Sequence, residues 1–379
     1  MDIKIPLFKI YWDEEDVKAV TDSIRRGMMW AAGPNIEKFE KAIADYLGRK
    51  YCVVFNSGTT ALHSALVAYG IGQGDEVIVP SFTFIATSNA VLLAGAKPVF
   101  VDIDEENYGL DPEDIRKKIT PKTKAIIPVH YGGGVCKIDE IQKIAKEYNL
   151  LLIEDAAESF GSARNGKKVG TFGDAAMFSF CQTKVFTTGE GGCIVTDDEI
   201  LSEKIRLIRG HGRKETVNFC ITGEYMDYIA LGSNYRMPDM IAALGLSQIK
   251  KLDRLIKIRR EKAAKFNELL AGIEGIIIPQ VPSDVFHTFQ EYPIRIKEGA
   301  KTRDALKEYL AQKGIGTRIS FYPIHWTPFY KSLGYDLKLE KTELLYSQAL
   351  TIPLYPSLTD EEMEFIAQEI RNFFQKNEQ

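Results

Sequence analysis

The sequence has few of the features that mark unusual protein classes. Its five cysteines form an odd set without a Cys-x-x-Cys pair or a histidine at ligand spacing, so we expect reduced thiols and no metal site. No run of about 18 apolar residues occurs. Residues 1–8 lack the apolar centre of a signal peptide, so we expect a cytoplasmic protein without a membrane segment. The cysteines are Cys52, Cys136, Cys181, Cys193 and Cys220.

The sequence also lacks an excess of basic residues. It has 48 Lys and Arg against 52 Asp and Glu, a formal net charge of −4. The basic residues between positions 250 and 260 alternate with apolar ones at helical spacing, which indicates a solvated helix face. We therefore expect no nucleic-acid partner.

The length of 379 residues exceeds what one hydrophobic core usually supports, so we expect a large domain and a smaller one. From about residue 50 to 200, short β-branched apolar runs alternate with amphipathic helical stretches, which is typical of an α/β fold. The expected strands are residues 51–55, 76–80, 97–101, 125–129, 150–154, 175–179 and 193–196. The expected helices are residues 60–69, 86–93, 112–119, 138–148 and 199–208.

The C-terminal part has a different pattern. A long charged helix is predicted from Pro238 or Asp239 to about Leu270, with Pro238 in its first turn, as a bridge between domains. The further expected strands are 292–296 and 317–320, and the further helices are 303–313, 342–349 and 360–374. We therefore predict a large domain over 1–245 and a small α+β domain over 246–379.

Three motifs carry candidate chemistry. The first, residues 56–60 (Asn-Ser-Gly-Thr-Thr), follows an apolar strand and opens a helix, so its backbone N–H groups and hydroxyls are suited to bind a phosphate. A plain helix cap by Ser57 or Thr59 is the alternative.

The second motif, residues 154–158 (Glu-Asp-Ala-Ala-Glu), lies at the end of a predicted strand, where open α/β sheets bind ligands. A carboxylate there, Asp155, is placed to pair with the protonated ring nitrogen of a pyridine cofactor. The alternative is an acid that caps the next helix.

The third motif places Lys184 just after a strand, before a turn that ends in Gly191 and Gly192. A lysine there can form an imine if its amine is kept partly unprotonated, and the glycines allow close backbone approach. The alternative is a surface lysine before a hairpin. The three motifs together, in this chain order on one sheet, predict a pyridoxal-phosphate (PLP) site.

With these motifs the chain resembles the DegT-type sugar-nucleotide aminotransferases, a branch of the fold-type I PLP enzymes, from Pro6 to the final helix. The resemblance implies the aspartate-aminotransferase fold, with a mostly parallel sheet between helices in the large domain. The segments that carry it are 33–34, 39–40, 57–62, 80–84, 154–158, 179–192, 234–237 and 322–325.

The resemblance also implies roles for single residues. Lys184 would hold PLP as a Schiff base and shuttle the proton, and Asp155 would pair with the pyridine nitrogen. Phe84, rather than Phe82, would stack on the ring. Glu158 stands where the family has Gln, His or Glu, near the ring hydroxyl; its role and the choice of C3 or C4 amination stay open. The implied phosphate contacts are Ser57, Gly58, Thr59, Ser179 and Asn234.

Asn234 resembles a residue that the family donates across a dimer interface, which implies a homodimer with shared sites. Five further residues are candidates for substrate contacts: Tyr322, His325, Arg236, Arg318 and Trp30. Four of them have a plain alternative: packing for His325, surface ion pairing for the two arginines, and a partly buried staple for Trp30.

The activity that follows is transamination of a keto group on a nucleotide-linked sugar in amino-sugar biosynthesis, with L-glutamate as the donor that the resemblance implies. One alternative is a sugar dehydratase of the same family, but those enzymes carry His at the position of Lys184. A second alternative is a non-catalytic regulatory member, which loss of Lys184 or Asp155 would have favoured. The nucleotide and the sugar stay open.

Overall fold

The computed structural model describes residues 3–214 and 227–377. Its strands are β1 Tyr51–Phe55, β2 Glu76–Pro80, β3 Lys97–Val101, β4 Thr123–Ile126, β5 Leu151–Asp155, β6 Ala163–Arg164, β7 Lys167–Lys168, β8 Ala175–Ser179, β9 Gly192–Thr196, β10 Ile276–Ile277, β11 Val285–Phe286, β12 Tyr292–Ile296, β13 Arg318–Ile319 and β14 Ala349–Ile352. Its α-helices are α1 Glu14–Arg25, α2 Pro34–Leu47, α3 Gly58–Ala68, α4 Ala86–Leu93, α5 Pro112–Lys118, α6 Ile138–Glu147, α7 Glu199–Arg209, α8 Asp239–Ile249, α9 Leu252–Leu270, α10 Ala300–Gln312, α11 Pro328–Ser332, α12 Glu340–Gln348 and α13 Asp360–Asn377.

The central sheet has seven strands in the order β1-β9-β8-β5-β4-β2-β3. Strands β8, β5, β4, β2 and β3 pair in parallel, whereas β9 pairs antiparallel with both β8 and β1. Strand β9 is therefore the one reversed strand of this sheet. The carboxyl ends of β1, β2, β5 and β8 consequently meet at one edge, and β9 begins there.

Helices cover both faces of this sheet. Alternate residues of a strand point to opposite faces, and β1 shows this: Cys52 and Val54 belong to one buried cluster together with α2 and α6, whereas Val53 and Phe55 belong to another with α3 and α4. The predicted apolar strands are buried on both faces for this reason.

The C-terminal part is built on a four-stranded antiparallel sheet, β10-β12-β14-β13. Its strands pack with α9, α10 and α13 around a separate apolar cluster that includes Phe266, Tyr292 and Ile366. The predicted strand 292–296 is confirmed, but β14 follows α12 directly and was not predicted. The predicted domain division after residue 245 falls inside α8 and stays a prediction.

The prediction of one helix from 238 to 270 is wrong, because α8 ends at Ile249 and α9 begins at Leu252. Between them the side chain of Lys251 is buried, and its Nζ lies 2.9 Å from Oδ1 of Asp16 and also contacts Asp13. These ion pairs hold the chain against the start of α1. Pro238 is the residue before α8 rather than part of its first turn.

The prediction of a solvated basic face is also wrong in part. Lys251 and Arg259 are buried, and Nη1 of Arg259 donates to the carbonyl of Leu354 at 2.9 Å. Helical spacing cannot separate a solvated cation from one that is buried against a carbonyl or carboxylate.

Three statements on membrane spans, metal sites and cysteines hold for residues 3–214 and 227–377. No helix there is long and apolar enough to cross a bilayer, and no group of three or more His, Cys, Asp or Glu side chains there is arranged to hold a metal ion. Four cysteines there are free thiols, and Cys220 lies outside the described residues.

Candidate active site

The three motifs meet at the edge where the parallel strands end. Asp155 ends β5, Ser179 ends β8, and Ser57 follows β1. Phe84 follows β2 by four residues and lies at the same edge. Open α/β sheets bind ligands at this edge, so the topology alone brings these residues to one cleft.

Ser57 caps helix α3. Its Oγ accepts a hydrogen bond from the N–H of Thr60 at 3.2 Å, and the helix begins at Gly58, two residues before the predicted start. The first N–H groups of a helix have no partner within the helix and carry partial positive charge. Capping and anion binding are therefore compatible here, since Ser57 caps the N–H of Thr60 rather than those of Gly58 and Thr59.

Close backbone packing brings β8 beside this helix start. A Cβ atom on Gly192 would lie 2.5 Å from the backbone nitrogen of Gly58, and one on Gly58 would lie 3.3 Å from Cβ of Ser179. Ser179 pairs with Gly192 in the sheet. The glycines thus make room for Ser179 next to the N-terminus of α3, which completes a small cradle of hydroxyl and N–H donors.

Asp155 is a buried carboxylate with its own donors. Its side chain accepts a hydrogen bond from Oγ1 of Thr87 at 2.8 Å and from the N–H of Ala157 at 3.2 Å. Burial raises the pKa of Asp155, while Thr87, Ala157 and the positive charge of Lys184 oppose that rise. Residues 156–161 form turns rather than a helix, so Asp155 does not cap a following helix.

Lys184 is an inward-pointing residue rather than a surface lysine. Its side chain is 16% exposed, and its Nζ lies 3.3 Å from Oε1 of Glu158. Oε2 of Glu158 accepts the N–H of Gly132 at 2.9 Å. Lys184 is also close enough to Asp155 to influence its pKa, so the second and third motifs lie side by side.

The two phenylalanines of the segment after β2 differ sharply. Phe84 is 62% exposed at the cleft, whereas Phe82 is 1% exposed and packs against Tyr131 and Phe321, with ring centroids 5.3 and 6.1 Å away. Phe84 is therefore the ring available to a ligand.

The predicted substrate residues are spread over several environments. Tyr322 is half exposed, whereas His325 is buried, with Nδ1 2.7 Å from Oγ of Ser81 and Nε2 3.4 Å from Oε1 of Glu343. Burial lowers the pKa of His325, so this ring is neutral and packed.

The remaining predicted contacts lie in different surroundings. Asn234 is exposed, and the next residues run beside β1, where Arg236 forms a backbone bridge with Phe55. Arg318 forms an ion pair with Glu291. Trp30 is about half exposed, and its carbonyl accepts the N–H of Asp239 at 2.7 Å.

Three residues of the site were not found from the sequence: Thr87, Gly132 and Glu291. Thr87 and Glu291 carry no local signal, because each lies within an ordinary amphipathic or strand-flanking segment. The run of glycines at 132–134 is a turn signal, and Gly132 has a φ of 62°. That run of glycines could have marked a loop whose backbone approaches the site.

These residues suit pyridoxal phosphate. A doubly charged phosphate fits the cradle of helix N–H groups and hydroxyls, and a buried carboxylate with a raised pKa is stabilised by a cationic ring nitrogen. The partly buried Lys184 lies beside it. The fold and this site define the class of the protein: an aminotransferase of fold type I, dependent on PLP or its amino form.

Comparison with known proteins places the chain more narrowly. The model of the DegT/DnrJ/EryC1/StrS aminotransferase family matches residues 11–371, and the chain belongs to this family of sugar aminotransferases. GDP-perosamine synthase of Caulobacter vibrioides is 42% identical over 336 residues, 88% of this chain and 88% of that protein.

Solved structures agree in fold. Helicobacter pylori PseC, an aminotransferase involved in the biosynthesis of pseudoaminic acid, has a TM-score of 0.92 at 29% identity, covering 99% of this chain and 100% of that one. Bacillus subtilis NtdA with bound cofactor PMP has a TM-score of 0.87 at 32% identity, covering 96% of this chain and 82% of that one.

Proposed function

We propose that this enzyme transfers an amino group from L-glutamate to a keto group of a nucleotide-linked sugar. The observation that carries the proposal is the meeting of Lys184, Asp155 and the cradle at Ser57 on one sheet edge. Similarity to a GDP-perosamine synthase supports a nucleotide-linked substrate, and biosynthesis of an amino sugar for a polysaccharide or glycoconjugate is the setting that fits.

Each residue has a part in this proposal. The cofactor supplies an aldehyde that binds the amino group and a ring that withdraws electrons from the reacting carbon. Lys184 would bind the cofactor and would move a proton between the reacting carbons at its Nζ. Asp155 would keep the ring nitrogen protonated, which is preorganised electrostatic stabilisation. Phe84 would cover one face of the ring.

The remaining candidates bind rather than react. Ser57, Gly58, Thr59 and Ser179 would hold the cofactor phosphate, helped by Asn234 from a second subunit. Glu158 would lie near the ring hydroxyl. The candidate contacts for the sugar nucleotide or the donor carboxylate are Tyr322, His325, Arg236, Arg318 and Trp30.

The experiment follows the cofactor spectrum. Purified protein with PLP should show Schiff-base absorbance that L-glutamate converts to the pyridoxamine form, and a panel of 3-keto and 4-keto nucleotide sugars should then convert it back. K184A should lose the Schiff-base band, while K250A, which changes an exposed lysine, should keep it. A K184A protein with full turnover, or no sugar in the panel that reoxidises the cofactor, would contradict the proposal.

A further inference from the structure

A series of four charged side chains begins at Lys184. Its Nζ lies 3.3 Å from Oε1 of Glu158, and farther along Arg318 forms an ion pair with Oε1 of Glu291. Gly132 joins the two halves: its N–H donates to Glu158 at 2.9 Å, and its carbonyl accepts the N–H of Glu291 at 3.1 Å. The side chains therefore run as cation, anion, anion, cation.

Both carboxylates are buried, Glu158 with 7% and Glu291 with 9% of their surface exposed. A buried carboxylate is costly without a cationic partner, and each of these has one. Burial chiefly raises the pKa of Glu291, the charge of Glu158 adds to that rise, and Arg318 and Lys184 oppose it. The negative charges of Glu158 and Glu291 therefore interact, on either side of Gly132.

Three other titratable groups face this series: Tyr131, Arg259 and Asp155. Burial raises the pKa of Tyr131 well above its usual value, so its hydroxyl stays neutral, and that hydroxyl donates to Oγ of Ser320. Burial lowers the pKa of Arg259 to about 10, so it stays cationic at neutral pH. Neither Tyr131 nor Arg259 therefore changes charge near pH 7.

We propose that Glu291 and Arg318 are positioning residues that set the electrostatic potential at Lys184 through Glu158. They would thereby set the pH at which the Lys184–cofactor Schiff base releases its proton to solvent. This inference rests on the role of Lys184 in the proposed function. Glu291 adds a negative charge that favours the protonated Schiff base, and Arg318 offsets most of it.

The test is the absorbance of the PLP-bound enzyme as a function of pH. E291Q removes the negative charge and leaves Arg318 uncompensated, so the midpoint for proton loss should fall by about one pH unit. E291Q/R318Q removes both charges and should return the midpoint close to that of the wild type. If Glu291 and Arg318 had a purely structural role, the double variant would not return the midpoint toward that of the wild type.

The matched control is E369Q. Glu369 is also buried, in an ion pair with Lys313, but that pair lies away from the site, so the midpoint should not move. An unchanged midpoint in E291Q, or equal shifts in the single and double variants, would overturn the inference.

If E291Q does not fold, the variants R318K and R318Q provide a second test. R318K keeps the charge and should keep the wild-type midpoint, whereas R318Q should raise it; equal midpoints would overturn the inference. No sugar substrate is needed, so failure of the keto-sugar panel and failure of this inference are separate outcomes.

Discussion

At the scale of single residues, Asp155 is a site residue whose burial is expected to lower the stability of the cofactor-free protein. Among the described residues, the donors to this buried carboxylate at the end of β5 are the hydroxyl of Thr87 and the backbone N–H of Ala157. Burial raises its pKa, so the ionised form is disfavoured until a cation lies against it. The cationic nitrogen of a bound pyridine ring would supply that charge, so as a cofactor-binding group the carboxylate would act at the expense of the cofactor-free fold.

A stability prediction follows for D155N. Because the pKa of Asp155 is raised in the folded state, the native protein binds more protons than the unfolded chain at pH values between the usual carboxyl pKa and the raised one, and its stability falls as the pH rises through that range. Cofactor-free D155N should therefore be more stable than the wild type at pH 8, by about 1 kcal/mol. The difference should shrink as the pH falls toward the usual carboxyl pKa. Denaturant unfolding at several pH values measures it.

T87V is the matched variant for this measurement. It removes the hydroxyl that donates to Asp155 while keeping the shape of the side chain, so it should destabilise the cofactor-free protein at pH 8. If D155N were less stable than the wild type at that pH, the carboxylate would be stabilising rather than costly.

At the scale of elements, the site depends on how closely β9 approaches the start of α3. The approach needs a residue without a Cβ atom at Gly192, where that atom would lie 2.5 and 2.6 Å from the backbone of Gly58. Backbone atoms cannot move aside as the end of a flexible side chain can. The same contact places Ser179 at the helix N-terminus, so both the packing and the proposed phosphate binding depend on one glycine.

Replacing Gly192 by Ala should therefore affect both properties. We expect a loss of about 2 kcal/mol of stability from overpacking and weaker binding of PLP, measured by denaturant unfolding and by fluorescence titration. G72A is the control, because a Cβ atom there would meet only the carbonyl of Ala94, at 3.5 Å. A G192A protein with wild-type stability and wild-type PLP affinity would refute the proposed dependence.

At the scale of the whole molecule, the predicted homodimer concerns Asn234. This residue is exposed beside β1, so its side chain is available to a second subunit. The dimer itself stays a prediction. If two subunits share an active site, two different defective variants can restore activity when they are mixed, which two monomers cannot do.

Mixing two defective variants tests the shared site. In a heterodimer of K184A and N234A, one site would combine an intact Lys184 with the intact Asn234 of the other subunit. If both parents are nearly inactive and subunits exchange freely, an equal mixture should regain about a quarter of wild-type activity, since half of the dimers carry one intact site. Activity that stays at the average of the two parents would contradict donation across subunits.

The sequence by itself determined the α/β class, four of the seven central strands to the residue, and the three motifs that meet at Asp155, Ser57 and Lys184. It could do so because buried parallel strands are apolar runs, and because the carboxyl ends of such strands share one edge. Its alternatives for Asp155 and Lys184 stayed open, since a local pattern does not report burial.

Only the tertiary structure decided those alternatives. The break at Lys251 arises from ion pairs to Asp13 and Asp16, more than 230 residues earlier in the chain. Glu291 likewise reaches the site through Gly132 and Arg318, which are far from it in sequence. Such contacts depend on which distant segments pack together, so the charges that surround Lys184 could not be predicted from the sequence near Lys184.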